Sequence, residues 1–355
     1  RAPPLPDRAN AQRRVTPPKP HKELSQSVGI VGGGPGGLAA AEALRKKGYQ
    51  VTVYDRHDRM GGLLIYGIPG FKLEKSVIER RTRLLAQAGI TLKTGINVGT
   101  DVSFQDLRDR HDAVLIATGV YKGRELGIKG DTLAGVHAAL DYLIAQNKVS
   151  LGDSVPAHDD GTLDATGKDV VVIGGGDTAM DCVRTAIRQG ARSVKCLYRR
   201  DRANMPGSQR EVAHAEEEGV EFVWMAAPTE VLGKAKAEGV KAIRMHLGVA
   251  DASGRQAPQP IEGSDFQLKA DMVIKALGFD PEDVPALFGE KRLDVTRWGT
   301  LAMDERTHMT TLDGVFAAGD IVRGASLVVW AIKDGRDAAL SIDRFLKVKQ
   351  RVAAE

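Results

Sequence analysis

Cysteine is scarce in this chain: it occurs twice among 355 residues, as Cys182 and Cys196. Two thiols exclude a disulfide framework, a four-cysteine zinc site and an iron–sulfur cluster held by this chain alone. Their spacing does not match C-x-x-C, which argues against a thioredoxin-type redox pair. Because such sparse use of cysteine is typical of a reducing compartment, we expect a cytoplasmic protein.

The chain also has no large excess of one charge, few aromatic side chains and no long apolar run. The chain has 50 basic and 46 acidic residues, a net charge of +4 and 5% aromatic residues. This balance disfavours nucleic acid as a partner, since it offers neither a basic surface nor stacking platforms. No apolar stretch approaches the roughly 18 residues that span a membrane, and residues 1–24 contain no apolar run of the kind found in signal peptides. The scattered histidines include no pair with metal-ligand spacing, so no metal site is predicted.

Proline is concentrated at the N-terminus, where residues 1–24 hold six of the fifteen prolines. Proline fixes φ and lacks an N–H group, so this stretch is predicted to be an extended arm. Two interpretations stay open, a disordered tail or a strap along a neighbouring domain. The chain starts with Arg1 rather than Met, which suggests a fragment or a processed form.

Beyond the arm, predicted strands and helices alternate, which indicates an α/β fold with parallel sheets. The segment 28–48 aligns with 170–190 at an offset of 142, and 112–120 aligns with 271–279 at an offset of 159. Two duplicated segments in the same order predict two Rossmann-like, three-layer dinucleotide-binding domains.

The predicted domains are nested in the chain. The first takes residues 25–150 and 285–355, and the second, 151–284, interrupts it. Residues 229–270 are predicted to form β-hairpins within the second domain.

The first repeat carries the fingerprint G-x-G-x-x-G as Gly32, Gly34 and Gly37, between a predicted strand and a predicted helix. The three glycines allow a tight turn, the approach of a pyrophosphate and close helix–strand packing. Asp55 ends the next predicted strand, where an acid can accept ribose hydroxyls. A purely structural glycine turn is the alternative.

The second repeat has the variant G-x-G-x-x-A as Gly174, Gly176 and Ala179, and its next strand is followed by Arg199 and Arg200. A guanidinium pairs bidentately with a 2′-phosphate, whereas an acid repels it. The first repeat should therefore bind FAD or NAD and the second NADP(H). Arg202 adds a further positive charge nearby, and a solvated basic edge is the alternative.

Two later features favour FAD over NAD in the first domain. Gly61 and Gly62 would let a loop cover a bulky ring system. Asp320 ends a predicted strand just before a helix that starts near Ser326, where it can bind a ribityl hydroxyl while the helix N-terminus stabilises negative charge. The alternatives are a plain turn at the two glycines and a helix cap at Asp320.

Longer motifs carry a family resemblance. The order of the glycine turns, the A-T-G at residues 117–119 and the G-D at residues 319–320 resembles the two-dinucleotide-domain flavoprotein reductases. The segments 61–75, 174–191, 198–212 and 315–332 are similar to the small (β) subunits of bacterial NADPH-dependent glutamate synthases. The resemblance spans nearly the whole chain, and GIPGFKLEK with RRDRANMPGS is its most specific part.

The resemblance implies FAD in the first domain and NADPH in the second, with hydride transfer between bound cofactors and no catalytic side chain. Gly278 would border the nicotinamide. The residues expected at FAD are Gly32, Gly34, Pro35, Gly37, Asp55, Arg56, Gly62, Leu63, Thr118, Gly119, Gly319, Asp320 and Leu327. Those expected at NADPH are Gly174, Gly175, Gly176, Asp177, Thr178, Arg199, Arg200 and Gly278.

The resemblance also implies a reaction and a partner: electrons pass from NADPH through FAD to a large (α) subunit, which makes two glutamates from glutamine and 2-oxoglutarate. The family's small subunit carries an N-terminal cysteine-rich iron–sulfur domain, and this chain lacks those cysteines. We therefore expect the iron–sulfur relay to lie outside this chain. A stand-alone NADPH:ferredoxin- or quinone-type reductase and a non-catalytic nucleotide-binding regulatory subunit remain alternatives.

Overall fold

The computed structural model describes Pro17, residues 19–250 and residues 256–354. Its contacts divide the chain into two compact units. The first unit takes the chain up to Gly62, Ser76–Gly119 and the chain from Asp283 onward. The second takes Leu63–Lys75 and Val120–Glu282.

Strands and helices alternate along the described chain and are numbered here in chain order. The strands are β1 (Ser27–Val31), β2 (Gln50–Tyr54), β3 (Thr91–Lys93), β4 (Ala113–Ile116), β5 (Lys122–Gly123), β6 (Val136–Ala138), β7 (Asp169–Ile173), β8 (Ser193–Tyr198), β9 (Glu221–Trp224), β10 (Ala226–Leu232), β11 (Gly239–Ala250), β12 (Gln256–Lys269), β13 (Met272–Lys275), β14 (Phe279–Asp280) and β15 (Val315–Ala317). The helices are α1 (Pro35–Lys46), α2 (Leu63–Tyr66), α3 (Lys75–Gln87), α4 (Phe104–Arg110), α5 (Ala139–Ser150), α6 (Pro156–Asp159), α7 (Asp177–Gln189), α8 (Gln209–Glu217), α9 (Val284–Phe288), α10 (Asp320–Arg323) and α11 (Val328–Ala354).

The first unit is built on a five-stranded sheet in the order β15-β4-β1-β2-β3. Every pairing in it is parallel. β1 and β4 are buried almost throughout, as strands covered on both faces of a sheet must be. One core cluster joins the sheet to α1 and α11 through side chains such as Leu44 and Ile342, and another contains Phe104 and Leu293.

The second unit has its own parallel sheet, in the order β6-β13-β7-β8-β9. A three-stranded antiparallel sheet, β10-β11-β12, and the short antiparallel pair β14-β5 complete the unit. One core cluster buries Met180 and Cys182 of α7, and another buries Val231 and Val240 of the antiparallel sheet.

The two parallel sheets have equivalent strand orders, with β7, β8, β9 and β13 taking the places of β1, β2, β3 and β4. The fifth strand differs in its origin. In the first unit it is β15, near the end of the chain, whereas in the second it is β6, which precedes the rest of its sheet.

The predicted α/β fold with two Rossmann-like units is confirmed. The β-hairpins predicted at residues 229–270 correspond to the sheet β10-β11-β12, which spans Ala226–Lys269 apart from residues 251–255. The elements that were not predicted are the short strands β3, β5, β6 and β14 and the helices α2, α4, α5, α6, α9 and α10.

The predicted bounds of the FAD domain and the NADPH domain stay a prediction, because they depend on where each cofactor binds. The compact units divide after Gly119 rather than near residue 150, and the segment Leu63–Lys75 packs with the second unit. Contacts within that unit hold this segment: Lys72 pairs with Asp181 at 2.7 Å, and Phe71 stacks under Arg188 at 4.0 Å.

Most of the predicted proline-rich arm, residues 1–24, lies outside the described residues. Its described end is held to the first unit, because Leu24 donates its N–H to the Gly48 oxygen at 2.9 Å and Glu23 pairs with Arg45.

Helices α1 and α11 cross at a close backbone contact. A Cβ atom added to Gly335 would overlap the main-chain oxygen of Gly36, and one added to Gly36 would lie 3.1 Å from the Ala331 oxygen. Both obstacles are backbone atoms, which cannot swing aside as a side chain can. Glycine at both positions therefore sets the distance between the two helices.

We expect Gly335→Ala to destabilise the protein by about 2 kcal/mol, because overpacking outweighs the higher helix propensity of alanine. Thermal unfolding of the purified protein measures this. Arg336→Ala, at the next and exposed position, is the matched control and should change stability by less than about 0.5 kcal/mol. Equal stability of the two variants would contradict the backbone-contact argument.

Candidate functional site

The first glycine turn, between β1 and α1, has two closed positions and one open position. Gly32 has φ +110°, and a Cβ atom there would overlap the Ala117 carbonyl oxygen. A Cβ atom on Gly37 would overlap the Gly32 oxygen. At Gly34, by contrast, a Cβ atom would meet no described atom within 4 Å. The turn thus leaves its backbone accessible where the fingerprint predicts a pyrophosphate.

Pro35 is the first residue of α1, and Gly34 caps the helix without a side-chain hydrogen bond. A proline at this position loses no helical hydrogen bond, because the first N–H groups of a helix have no partner within it. The end of α1 is therefore available to an anionic group.

Asp55 follows β2 and is buried against this turn. Its Oδ2 accepts the Gly33 N–H at 2.6 Å, and its Oδ1 accepts the His57 N–H at 2.8 Å. The Nδ1 atom of His57 lies 3.0 Å from the same Oδ1. Asp55 is thus placed at the glycine turn, and its contact with ribose hydroxyls stays a prediction. The neighbouring Arg56 is exposed.

The loop after Asp55 returns to the same turn. Gly61 donates its N–H to the Gly33 oxygen at 2.8 Å, and Gly62 adopts φ +54°. The predicted residue Leu63 begins α2 and belongs to the second compact unit, so it is not grouped with the other residues predicted at FAD.

The carboxyl ends of β4 and β15 hold two buried polar atoms. These strands are neighbours, with Ile116 opposite Ala317, and are followed by Thr118 and Asp320. Neither Thr118 Oγ1 nor Asp320 Oδ1 has a hydrogen-bond partner among the described residues. A buried polar atom normally has a partner, so these atoms fit a ligand that carries hydroxyl groups, as FAD does. Their assignment to FAD stays a prediction.

Burial raises the pKa of the Asp320 carboxyl to about 6, and Asp334 also raises it. The Ser326 N–H and the Arg323 guanidinium favour the charged form and offset part of this shift. Asp320 is the first residue of α10, and the cap position is Gly319, with φ +79°. Gly119 has φ +73°, and Leu327 lies exposed just before α11.

The second glycine turn repeats the geometry of the first. Gly174 has φ +149°, and a Cβ atom there would overlap the Ala276 oxygen. Ala276 is displaced from Ala117 by 159 residues, the same offset as in the sequence repeat. Gly176 is open, since a Cβ atom there meets no described atom within 4 Å. Gly175 has no such room, because its Cβ atom would overlap the Tyr198 ring.

A cavity of about 700 Å³ lies at this turn within the second unit. Seven of the eight residues predicted at NADPH line it: Gly174, Gly175, Gly176, Thr178, Arg199, Arg200 and Gly278. The eighth, Asp177, is not in the lining, and its Oδ1 accepts the Ser208 N–H at 3.0 Å. Asp177 thus ties the start of α7 to the loop that follows β8.

Arg199 and Arg200 provide the positive charge of the cavity wall near the end of β8. Arg199 is exposed, and the Nε atom of Arg200 is buried without a hydrogen-bond partner among the described residues. An unpartnered guanidinium N–H fits a phosphate oxygen. Arg202 is placed differently: it pairs with Glu216 at 2.9 Å and does not line the cavity.

The loop 199–208 folds back over the second turn. Gly207 donates its N–H to the Gly175 oxygen at 2.9 Å, and the Tyr198 hydroxyl lies 3.1 Å from the Asn204 oxygen. Asn204 and Pro206 consequently line the cavity. Sequence reasoning missed both residues. It also missed Arg124, which follows β5 and lines the same cavity. The length of the RRDRANMPGS motif was the only signal for the loop.

The cysteines and the metal-ligating residue types are placed as follows. Both cysteines are free and buried, and burial raises the pKa of each thiol, which keeps them protonated and unreactive. In the described ranges, no three histidine, cysteine, aspartate or glutamate side chains cluster so as to hold a metal ion. No helix within those ranges is long and apolar enough to cross a bilayer.

Known proteins resemble this chain over most of its length. Residues 26–335 match the family described as pyridine nucleotide-disulphide oxidoreductase. A glutamate synthase [NADPH] small chain from Azospirillum brasilense is 66% identical over 98% of this chain and 73% of its own length. A putative oxidoreductase, AegA, from Escherichia coli (strain K12) is 44% identical over 92% of this chain and 50% of its own length.

Solved structures share the fold. Mycobacterium tuberculosis FprA in complex with NADPH superposes with a TM-score of 0.77 at 21% identity, covering 93% of this chain and 86% of that one.

The contrast between closed and open glycines gives a test of the second turn. We expect Gly176→Ala to fold like the wild type, since its φ of −90° suits alanine and the added methyl meets no described atom. It should weaken NADPH binding at least about tenfold, because the methyl stands where a pyrophosphate would approach. Gly174→Ala should instead disrupt the turn. Titration with NADPH measures the affinity, and circular dichroism measures whether the turn still folds. Wild-type affinity in Gly176→Ala would contradict the predicted position of the pyrophosphate.

The raised pKa of Asp320 predicts a pH dependence of stability. Between the ordinary pKa, near 3.8, and about 6, the folded protein binds the proton more tightly than the unfolded chain does. Stability is therefore lost as pH rises through this window. The variant Asp320→Asn removes this titrating group. In flavin-free protein, the free energy of unfolding of the variant minus that of the wild type should be about 1–2 kcal/mol larger at pH 7 than at pH 4, after allowance for solvent screening. Chemical denaturation at both pH values measures this.

Asp313→Asn, which removes an exposed carboxylate of the same unit, is the control for the loss of one negative charge. A stability difference for Asp320→Asn that is the same at both pH values would contradict the burial argument.

Proposed function

Because the chain belongs to the pyridine nucleotide-disulphide oxidoreductase family, we propose that it is a flavoprotein that oxidises NADPH and passes the electrons to an acceptor outside this chain. One observation carries this proposal. Two glycine turns of the same geometry are followed by opposite charge, the carboxylate of Asp55 in one unit and the guanidinium groups of Arg199 and Arg200 in the other.

The first unit would hold FAD. When bound, FAD supplies the acceptor for a hydride and the carrier that returns electrons one or two at a time. The open backbone at Gly34 would accommodate its pyrophosphate, and Asp55 would accept hydroxyls of its adenosine ribose. Thr118 and Asp320 would give the flavin side chain the hydrogen-bond partners that their buried atoms lack.

The second unit would hold NADPH in the cavity beside Gly176. Arg199 and Arg200 would bind the 2′-phosphate, which distinguishes NADPH from NADH, and Gly278 would leave room for the nicotinamide. The chain's role in hydride transfer is then to bind and align, since the reaction between two cofactors needs position more than an acid or a base. The buried thiols have no part in this chemistry.

We further propose that the acceptor system is that of glutamate synthase, with this chain as its small subunit. The 66% identity to a relative of that name supports this role. Its partner would be the large subunit, which would use the electrons to form two glutamates from glutamine and 2-oxoglutarate. Because two buried cysteines cannot ligate a cluster, the iron–sulfur relay would lie outside this chain. Free thiols also fit the cytoplasm.

The similarity to AegA favours a second candidate, an NADPH-dependent reductase with a different electron acceptor. The two candidates differ in a reconstitution experiment. Flavin-loaded protein mixed with a glutamate synthase large subunit and an iron–sulfur donor domain should form glutamate only if the first candidate is right. NADPH-dependent dye reduction without any glutamate formation would select the second candidate.

The phosphate assignment predicts a loss of cofactor discrimination. Charge-assisted hydrogen bonds are worth about 1.5–3 kcal/mol each, so the double variant Arg199→Ala with Arg200→Ala should raise the KM for NADPH by at least about 100-fold. The KM for NADH should change little. Steady-state dye reduction with both nucleotides measures this, together with bleaching of the flavin absorbance by NADPH.

Arg202→Ala is the matched control, because Arg202 lies in the same loop but pairs with Glu216 outside the cavity. It should keep the preference for NADPH. A double variant that also keeps this preference would show that the 2′-phosphate binds elsewhere, and a purified protein that takes up no FAD would overturn the whole proposal.

A further inference from the structure

We propose that Arg124 is a third cationic residue of the dinucleotide cavity, and that it leaves its ion pair with Asp280 to bind the pyrophosphate that NADPH and NADH share. The inference rests on the proposed NADPH chemistry and deepens it. It assigns a role in affinity to Arg124, separate from the role in discrimination assigned to Arg199 and Arg200.

The main chain holds Arg124 at the cavity wall. Arg124 follows β5, which pairs with β14 so that Gly123 lies opposite Phe279. The Arg124 N–H donates to the Gly278 oxygen at 3.1 Å. A Cβ atom on Gly278 would lie 3.8 Å from Arg124 Nη1, so the guanidinium lies beside this glycine, and both residues line the cavity.

Strand order separates Arg124 from the other two arginines. In the sheet, β7 lies between β13 and β8. Gly278, with Arg124 beside it, follows β13, whereas Arg199 and Arg200 follow β8. A dinucleotide crosses the carboxyl edge of such a sheet with its pyrophosphate at the central glycine turn. Arg124 therefore lies on the side of the central turn opposite to the 2′-phosphate, and its long side chain would reach the pyrophosphate from there.

The other charged groups of the cavity do not account for binding of the pyrophosphate. With Arg199 and Arg200 assigned to the 2′-phosphate, the positive charge nearest the pyrophosphate is that of the α7 N-terminus, about half a unit. Glu125 is the acidic residue of the lining, and Lys275 neutralises it in an ion pair. Arg124 is the remaining arginine of the wall and can bind two phosphate oxygens at once.

The ion pair between Arg124 and Asp280 is well suited to exchange. Arg124 lies 2.8 Å from Asp280, but the two side chains are 55% and 49% exposed. A pair this exposed contributes little to stability because water screens it. Asp280 does not line the cavity, so it can hold the guanidinium while competing with a phosphate for it.

The test compares ligands that differ in their phosphates. For the flavin-loaded oxidised protein, Arg124→Ala should raise the Kd of NADP⁺ and of NAD⁺ by the same factor, about tenfold. The Kd of adenosine 2′-monophosphate, which has no pyrophosphate, should not change. Asp280→Asn should tighten NADP⁺ and NAD⁺ by a few-fold, because it removes the competing carboxylate. Isothermal titration calorimetry measures the dinucleotides, and competition measures the monophosphate.

Arg244→Ala is the control for a change in net charge, since Arg244 is exposed in the same unit and does not line the cavity. It should bind all three ligands as the wild type does. Unchanged dinucleotide affinity in Arg124→Ala would overturn the proposal, as would weakening of NADP⁺ alone or an equal weakening of the monophosphate. A wild-type protein that binds neither dinucleotide would overturn the proposed function itself.

Discussion

A main-chain oxygen occupies the space where a side chain would begin at the first glycine of each turn, and both candidate sites depend on this contact. The oxygen of Ala117 lies against Gly32, and that of Ala276 lies against Gly174. The contact lets the chain leave its central strand sharply and start a helix whose N-terminus faces the sheet edge. Glycine is required there by sterics, whatever ligand the unit binds, so the same turn could be used twice with different surroundings.

Those surroundings differ at the residues that follow the second strand of each sheet. Asp55 accepts the Gly33 N–H with one oxygen and the His57 N–H with the other, and each oxygen keeps a lone pair for a further donor. In the second unit, the buried Nε–H group of Arg200 has no partner among the described residues, and the loop 199–208 folds back over Gly175. One turn is therefore stabilised by its acid, while the other keeps its cationic group available to a ligand. This difference is the physical basis for assigning the two units to different dinucleotides.

Most of the strands, both glycine turns and seven residues of the cavity lining followed from local patterns in the sequence, because apolar runs and glycines report directly on buried strands and tight turns. What could not be predicted depends on distant partners. The strand β6 has only three residues, and its place is set by pairing with β13. The segment from Leu63 joins the second unit through Lys72 and Asp181, which lie 109 residues apart. Arg124 reaches its wall through the pairing of β5 with β14, for which no motif exists.

The different origins of the fifth strand in the two sheets have a consequence for biosynthesis. The second unit draws its edge strand, β6, and the segment Leu63–Lys75 from chain that precedes its glycine turn, so all of its parts are present once Glu282 has left the ribosome. The first unit must wait for β15 and α11, although its glycine turn is made first. Domains generally fold as units during synthesis. The inserted unit can therefore fold while the unit that surrounds it in sequence still lacks an edge strand and the helix that packs on α1.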